Sequence, residues 1–294
     1  MPELPEVETM RRGIAGVVGS TIGDIQSGGC RRKPILISPR LTSFRRRAVG
    51  AKIKAIDRIG KRVIVRLDSG DAIIFEPRMT GLVLLAKPPT CEHLRLRVVL
   101  SGGRAKELLY WDRRGLGSVR LVRAAELAEL FSSDKIGPDA LELSAEQLQA
   151  RLQSSQRAIK VALLDQRAVA GIGNLYAVEI LHLAKIHPEK RCSELRTTDW
   201  VRVQRAMLDV LKAAIRHEGS TLADGTYRNA LNESGGYQNH HRVYARAGDQ
   251  CVTCRKGEIQ RIVQAQRSTF FCPECQPAKR RVRAAGKRLH RAKE

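Results

Sequence analysis

The sequence predicts an α+β protein, in which an N-terminal helix and a β-sandwich are followed by a helical domain ending in a cysteine-bearing β-hairpin. Short apolar runs broken by Gly, Pro and Ser fill residues 20–125 and are typical of antiparallel strands. From residue 126 to about residue 220, apolar residues recur at intervals of three and four, which indicates helices. Two Cys-x-x-Cys pairs near the C-terminus enclose an alternating segment that suits a hairpin.

The N-terminal domain is predicted to span residues 1–125. Pro5 suits the first turn of a helix, and Glu6 and Glu8 favour the positive end of its dipole. Apolar residues then follow at helical spacing and predict one buried stripe, formed by Val7, Met10, Ile14 and Val17. Farther along, the DSGD segment at 68–71 separates two apolar runs and predicts a hairpin turn.

Three further segments complete the predicted organisation. Residues 126–248 form the helical domain, and its last part, 219–250, is polar and rich in glycine. Such a stretch indicates either a long functional loop or a poorly ordered linker. Residues 249–277 form the cysteine module. The basic tail, 278–294, is predicted to be disordered and serves either as a solubilising extension or as a tether to DNA.

The charge indicates a polyanionic partner. The chain carries 53 Lys and Arg against 30 Asp and Glu, a formal net charge of +23, and nucleic acid is the leading candidate. No apolar run reaches the roughly 18 residues that a membrane span requires, and the acidic, proline-rich start is unlike a secretory signal. We therefore expect a cytoplasmic, nucleoid-associated protein without a membrane partner. In a reducing compartment, its seven cysteines are not expected to form disulfides.

Four cysteines have the spacing of a metal site. Two Cys-x-x-Cys pairs are separated by 17 residues and can converge on one tetrahedral Zn²⁺. Four thiolates leave no open coordination position, so the zinc is predicted to be structural. The ligands are Cys251, Cys254, Cys272 and Cys275.

The second residue is a candidate nucleophile. Removal of Met1 would expose the secondary amine of Pro2, and an α-amino group is about one-tenth neutral at pH 7. Such an amine can attack a sugar C1′, displace the base and leave an iminium that acidifies the C2′ proton. Glu3 and Glu6 lie close enough in the sequence to move protons. The same residues also suit the ordinary start of a helix, and the sequence pattern leaves both interpretations open.

Three segments, MPELPEVETMRRG at the N-terminus, AGIGNLYAVEILHLAKIHP and QRSTFFCPEC, closely resemble the formamidopyrimidine-DNA glycosylase family. The resemblance runs from residue 2 to about residue 276. It implies a β-sandwich, a helix-two-turn-helix domain and a zinc finger. It also implies a bifunctional glycosylase and AP lyase, which excises oxidised purines such as 8-oxoguanine and formamidopyrimidines and cleaves the strand by β,δ-elimination.

The resemblance assigns catalytic roles residue by residue. Pro2 matches the Schiff-base nucleophile, Glu3 the proton donor and Glu6 a residue that anchors the site. Lys61, in IGKRVIVRL, matches the lysine that assists β-elimination. Arg267 matches the finger arginine that binds phosphates around the lesion and assists δ-elimination.

A second group of residues matches positions that contact DNA. Phosphate contacts are implied for His93, Lys160 and Asn174. Independently of the family, Asn174 opens a predicted helix after two glycines, where exposed backbone N–H groups suit a phosphate. An extruded nucleotide leaves a gap in the base stack that protein side chains must fill. The residues implied for this role are Met79, Arg114 and Leu116.

The sequence departs from the family pattern beside these positions. Leu116 stands where the family usually has Phe, and Glu76-Pro77-Arg78 stands where it commonly has His-Leu-Gly. Residues 219–242, here called the capping loop, resemble the family's lesion-capping loop. Together with Leu4, where the related endonuclease VIII group usually has Gly, this loop favours oxidised purines as the substrate.

The expected partner is damaged double-stranded DNA, bound by a monomer without a small-molecule cofactor. The departures around Met79 and Leu116 motivate one alternative, a DNA-binding protein on the same scaffold with no catalysis or with altered specificity. That protein would bind duplex DNA in a salt-sensitive manner without nicking it.

Overall fold

The computed structural model describes residues 2–30 and 34–278, so nearly all of the predicted basic tail lies outside the described residues. In chain order the elements are α1 (Leu4–Gly13), β1 (Thr21–Ser27), β2 (Leu36–Ser38), α2 (Leu41–Ala48), β3 (Ile53–Ile59), β4 (Arg62–Leu67), β5 (Asp71–Glu76), β6 (Gly81–Leu84), β7 (Leu94–Ser101), β8 (Glu107–Asp112), β9 (Ser118–Arg123), α3 (Ala124–Leu130), α4 (Ala145–Leu152), α5 (Ile159–Leu163), α6 (Asn174–Leu183), α7 (Thr197–Arg216), β10 (Gln260–Gln264) and β11 (Arg267–Phe271). This order confirms the predicted α+β class.

Two sheets share the core of the N-terminal half. One has the strand order β1-β7-β8-β6 and the other β2-β9-β5-β4-β3, with β2 and β9 parallel. On β4, Val63 and Val65 point into the shared core. The alternate residue Ile64, with Ile74 on β5, lies on the opposite face and packs beneath Leu127 of α3. Because this sheet is covered on both faces, its interior strands β4 and β5 consist largely of consecutive buried apolar residues.

Helix α1 packs into both halves of the protein. Val7 and Met10 belong to the core between the sheets, whereas Leu4 belongs to the core of the helical half. The predicted stripe is buried, but the helix ends at Gly13, and Val17 reaches the core from a short 3-10 turn. The first residues of the chain therefore lie where the two halves meet.

Two local predictions for the N-terminal half have different outcomes. The hairpin at 68–71 is confirmed, and Gly70 takes the positive φ, +84°, that its turn requires. The strand-like pattern misses α2, which buries Phe44 and Ala48 and carries three arginines. Two apolar residues four positions apart form too short a stripe to reveal a helix.

The helical half packs α4 to α7 around large buried residues that include Tyr176 and Trp200. The glycine-rich stretch that follows is folded, and of the two alternatives, a long functional loop or a poorly ordered linker, this excludes the second. Tyr227 and Tyr237 are buried in it, and the hydroxyl of Thr221 donates to the Tyr227 carbonyl over 2.8 Å. No helix within the described residues is long and apolar enough to cross a membrane. The predicted domain boundaries remain predictions.

Glu8 ties α1 to the neighbouring sheet. Its carboxylate accepts hydrogen bonds from Arg11 and Arg12 on the same helix and from Arg58 on β3. Arg58 also pairs with Asp139 in the helical half. Burial acts to raise the pKa of Glu8, but the hydrogen bonds from Arg11 and Arg12 outweigh it and lower that pKa to about 2.

We expect this ion-pair network to make stability depend on pH. Because the folded-state pKa of Glu8 is depressed, its contribution is present above the ordinary value of 4.5 and is lost as the pH falls towards 2. Urea-unfolding midpoints of the parent chain and of Glu8→Gln should differ most at pH 5 and above and converge near pH 2. Glu258→Gln, at an exposed position, is the matched control and should follow the parent chain. A gap for Glu8→Gln that stays constant from pH 7 to pH 2 would contradict this expectation.

Candidate active site

The carboxylate of Glu3 caps the first turn of α6. Its oxygens accept hydrogen bonds from the backbone N–H groups of Gly173 at 2.6 Å, Leu175 at 3.0 Å and Tyr176 at 3.4 Å. A Cβ at Gly173 would lie 2.3 Å from the Glu3 carboxyl carbon, so a residue with a side chain does not fit there. The helix dipole favours an anion at this end. The third residue of the chain is thus hydrogen-bonded to the start of a helix 170 positions farther along the sequence.

The start of α6 does not present its backbone to DNA in the predicted way. Because Glu3 already uses three of the backbone donors there, the prediction that exposed N–H groups at Asn174 and its neighbours bind phosphate is wrong for those three groups. The Asn174 side chain instead donates from Nδ2 to the Ser268 carbonyl over 2.9 Å. Asn174 therefore links α6 to the C-terminal hairpin, beside Arg267.

Lys61 reaches the loop before α6 from the turn between β3 and β4. Its Nζ donates to the Ile172 carbonyl over 2.9 Å, and Gln166 donates to the same oxygen over 2.8 Å. The backbone N–H of Leu4 bonds to the Gly171 carbonyl over 3.0 Å. Burial lowers the pKa of Lys61, which favours the neutral amine. The segment 171–173 therefore brings together Lys61 and the first residues of the chain, where Pro2 is buried.

Glu6 is a buried carboxylate with three donors. Its oxygens accept from the backbone N–H of Glu3 at 2.9 Å, the hydroxyl of Tyr176 at 2.6 Å and the backbone N–H of Ser220 at 2.9 Å. Burial raises the pKa of Glu6, and the nearby Glu3 carboxylate raises it further. Both oxygens are thus fixed in direction beside the chain start, as an anchoring role requires.

Lys160 on α5 is a buried cation whose Nζ makes no hydrogen bond within the described residues. The residue is fully buried. Burial lowers the pKa of Lys160 to about 8, and Arg267 at the start of β11 adds to the effect. Arg267 itself is exposed. Because a buried ammonium group without a hydrogen-bond acceptor is unfavourable, this place between α5 and the hairpin favours an incoming acceptor such as an anion.

Arg114 and Leu116 stand on one rigid loop between β8 and β9. The buried Asp112 accepts from Thr80 and from the backbone N–H groups of Arg114 and Gly117. The Arg114 and Leu116 side chains are exposed, the latter by 40%. Thr80 follows the half-buried Met79, so Asp112 joins the two loops that carry the three predicted wedge residues.

His93 lies just before β7, an interior strand of the first sheet. It is nearly buried, packs edge-on against Trp111 with the ring centroids 5.5 Å apart, and its Nδ1 has no partner among residues 2–30 and 34–278. The predicted phosphate contact at His93 stays a prediction.

The four predicted zinc ligands come together at the base of the β10–β11 hairpin. Their ligand atoms all lie within 4.8 Å of one another, and the sulfurs of Cys251 and Cys275 are 3.8 Å apart. The sulfurs of Cys254 and Cys272 are 3.7 Å apart. Tetrahedral Zn–S bonds of about 2.3 Å require sulfur separations of about 3.8 Å. The four thiolates fit one structural zinc and leave it no open position for catalysis.

Sequence reasoning missed several residues that build this site. Tyr176 orients Glu6, Gln166 holds the loop before α6, and Asp112 holds the wedge loop. In the sequence, Tyr176 of α6 has the apolar helical spacing of any aromatic core residue. Its partner becomes visible only when the helix meets the start of the chain.

Family models match three successive segments of this chain. Residues 1–119 match the family model described as formamidopyrimidine-DNA glycosylase N-terminal domain, 136–225 match the H2TH domain of the same enzyme, and 248–278 match a zinc finger found in FPG and IleRS. Relatives named formamidopyrimidine-DNA glycosylase from Chloroflexus aurantiacus and Thermomicrobium roseum are each 38% identical to this chain. Those alignments cover 94% of this chain and 98% and 99% of the relatives.

Solved structures of formamidopyrimidine-DNA glycosylases from Lactococcus lactis superpose on this chain over most of its length. A point mutant of Lactococcus lactis FPG in complex with Fapy-dG-containing DNA superposes with a TM-score of 0.84 at 33% identity. L. lactis Fpg in complex with abasic-site DNA superposes with a TM-score of 0.82 at 32% identity. Each comparison covers 94% of this chain and 100% of the other.

The fold and the site define a DNA glycosylase of base-excision repair, in the class that carries glycosylase and AP lyase activity. The chain belongs to the formamidopyrimidine-DNA glycosylase family.

Proposed function

We propose that this chain excises oxidised purines from double-stranded DNA through a Schiff base on Pro2 and then cuts the strand by β,δ-elimination. One observation carries the proposal. Glu3 joins the buried start of the chain to the loop at 171–173 by hydrogen bonds, and a carbonyl of the same loop accepts a hydrogen bond from the Lys61 amine. A nucleophile, an acid and a base are thereby held together where the two halves of the protein meet.

The chemistry starts at the imino nitrogen that removal of Met1 exposes. This nitrogen attacks C1′, and the bond from C1′ to the damaged base breaks as Glu3 supplies a proton to the sugar or the base. The nitrogen then loses its own proton, and its lone pair breaks the C1′–O4′ bond as O4′ takes up a proton, which opens the sugar ring and forms an iminium. This iminium acidifies the C2′ proton. Loss of that proton to a base expels the 3′ phosphate, and a second elimination expels the 5′ phosphate. Water then releases the sugar fragment from the nitrogen.

Lys61 and Glu6 have supporting roles in this scheme. The lowered pKa of Lys61 leaves more of its amine neutral and able to accept a proton during β-elimination. Glu6, held by three donors, keeps the peptide that follows Pro2 in place through its bond from the Glu3 N–H. The structural zinc supplies no chemistry, and its cysteines hold the hairpin from which Arg267 projects.

The DNA backbone is proposed to occupy the cationic region around Lys160 and Arg267. The buried Nζ of Lys160 makes no hydrogen bond within the described residues and supports this assignment, because a phosphate would supply a charged acceptor. Asn174 and His93 complete the proposed phosphate contacts, and Arg267 also assists δ-elimination. Met79, Arg114 and Leu116 fill the gap that the extruded nucleotide leaves. Leu116 does so as an apolar wedge without an aromatic ring.

The substrate class rests on the capping loop and on the relatives. L. lactis Fpg has been solved with Fapy-dG-containing DNA, with abasic-site DNA and with DNA that contains an oxidised pyrimidine. We infer damaged double-stranded DNA as the partner and oxidised purines as the preferred lesions. The chain is proposed to act as a monomer, since one copy supplies every site residue named above. It needs no small-molecule cofactor and works on nucleoid DNA in the cytoplasm.

Borohydride trapping tests the proposal. Purified protein with a duplex that contains 8-oxoguanine should give a covalent protein–DNA adduct in the presence of borohydride and a nicked strand in its absence. A duplex with an oxidised pyrimidine should react more slowly, and an undamaged duplex should not react. Intact mass should show that Met1 has been removed. Failure to trap on every damaged duplex, or a retained Met1 in nicking-active protein, would refute the mechanism.

Arg267→Ala should weaken binding to a duplex with an uncleavable abasic analogue. Loss of one charge-assisted phosphate contact is expected to lower affinity roughly 10-fold. It should also reduce by about one the slope of log affinity against log salt concentration. Fluorescence anisotropy across a salt series measures both quantities.

Arg261→Ala is the matched control for that measurement. Arg261 is exposed on the neighbouring strand β10, where it donates to Ser268 Oγ over 3.0 Å. Its loss should leave the salt slope within error of the parent value. Equal effects of the two substitutions would mean that the hairpin contributes only diffuse charge.

A further inference from the structure

A series of buried polar side chains continues from Glu6 away from the N-terminus and ends at His241. The hydroxyl of Tyr176 donates to Glu6 over 2.6 Å, and the backbone N–H of Ser220 donates to the same carboxylate over 2.9 Å. Nε2 of His241 lies 3.0 Å from Ser220 Oγ. All four residues are buried, and the chemistry proposed above does not use His241.

The direction of the hydrogen bonds follows from their carboxylate end. Glu6 accepts from the Tyr176 hydroxyl and from the Ser220 N–H, so both donors point at the carboxylate. Ser220 therefore holds the carboxylate through its backbone and contacts the His241 ring, 3.0 Å away, through its side chain.

The surroundings of His241 fix its ring and its charge. Tyr237 and Tyr244 pack edge-on against the ring, with centroids 5.7 and 5.6 Å away. Burial lowers the pKa of His241 to about 4, and the nearby Arg246 and His240 act in the same direction. The ring is therefore neutral at pH 7 and carries one N–H to donate.

His241 also closes the base of the capping loop. Ser220 lies near the start of that loop and His241 lies at its end, and a second bond joins Thr221 N to Gln238 Oε1 over 3.0 Å. The backbone N–H of Ser220 points at Glu6 from the same position. Holding Ser220 therefore fixes the loop base and the Glu6 carboxylate together.

We propose that His241 is a positioning residue of the glycosylase step, which holds Ser220 so that Glu6, bound by the Ser220 N–H, keeps its orientation beside the N-terminal nitrogen. This inference rests on the function proposed above. His241 contacts neither the nucleophile nor the proposed phosphate region and acts through its neighbours. Loss of the imidazole removes the partner of the Ser220 hydroxyl and loosens Ser220, whose backbone N–H donates to Glu6.

The test compares the rate of base release with DNA binding. His241→Leu should lower the single-turnover rate of 8-oxoguanine release roughly 10-fold, because a buried hydrogen bond is lost from the network. Affinity for an uncleavable abasic-analogue duplex should change by less than about twofold, since no DNA contact is removed. His241→Gln, whose amide can donate to Ser220, should recover most of the rate. A substitution that only perturbs packing would affect the Gln and Leu variants alike.

A double-variant cycle with Ser220→Ala adds a second criterion. Because both changes interrupt one series of bonds, the double variant should release base no more slowly than the slower single variant. His240→Leu, at the exposed neighbouring histidine, is the control and should keep the parent rate. Any one of three results would overturn the positioning role. These are fold-losses that multiply in the double variant, a full rate for His241→Leu, and no recovery of rate in His241→Gln. An inactive parent chain would instead refute the proposed function itself.

Discussion

A Pro2→Gly variant is expected to form on the order of 100-fold less borohydride-trapped adduct than the parent chain, since a nucleophile displaced by about 1 Å loses that much rate. The ring of proline limits rotation at the chain start, whereas glycine is the most flexible residue. Glycine also gives a primary amine, whose imine must gain a proton before it can assist elimination. The iminium formed by Pro2 is cationic as soon as it forms. Trapping on 8-oxoguanine DNA, quantified against time, measures the difference.

Pro5→Ala is the matched control for this experiment. Pro5 lies in the first turn of α1, is buried in the same segment and has no role as a nucleophile. Its replacement by alanine suits a helix and should leave trapping close to the parent level. Undiminished trapping by Pro2→Gly, or by protein whose terminus is chemically capped, would assign the nucleophile to another group.

Replacing Cys272 by serine is expected to remove the zinc and to reduce strand nicking by at least about 100-fold. Structural zinc sites contribute roughly 10–16 kcal/mol to the folding of comparable small modules. The apolar cluster beside the hairpin is small. Within the described residues its buried members are Val178, Val243 and Ile259, together with the zinc ligands Cys251 and Cys272. Without the metal this cluster cannot hold β10 and β11 in place, so Arg267 loses its position.

Cys91→Ser provides the control for zinc loss. Cys91 is exposed and lies outside the four-cysteine cluster. Metal analysis should give one zinc per chain for the parent and for this control and none for Cys272→Ser. Full nicking activity in zinc-free protein would contradict the structural role assigned to the metal.

Glu3 connects stability with chemistry in this protein. The same carboxylate caps α6 and is proposed to move a proton at the reacting sugar. A carboxyl group that accepts hydrogen bonds from several N–H donors is fixed in direction before the substrate arrives. The N-terminal helix, the loop at 171–173 and α6 consequently behave as one unit around the chain start.

Regular periodicity and short-range spacing carried the predictions that the structure confirmed. The α1 stripe, the turn at 68–71 and the cysteine module all depend on residues close together in the chain. Local rules failed where the pattern was short, as in α2, or where a local feature found a distant partner, as at the start of α6.

The sequence alone determined the α+β class, the zinc ligands and, through the family resemblance, the candidate catalytic residues. Tertiary structure decided what those residues touch: Glu3 on the α6 backbone, Lys61 on the Ile172 carbonyl and Glu6 on Tyr176. The physical reason is the sequence distance over which each kind of interaction acts. Hydrophobic period and ligand spacing act over a few residues, whereas these polar contacts join groups more than 100 positions apart, and only packing of the two halves brings such groups within hydrogen-bonding distance.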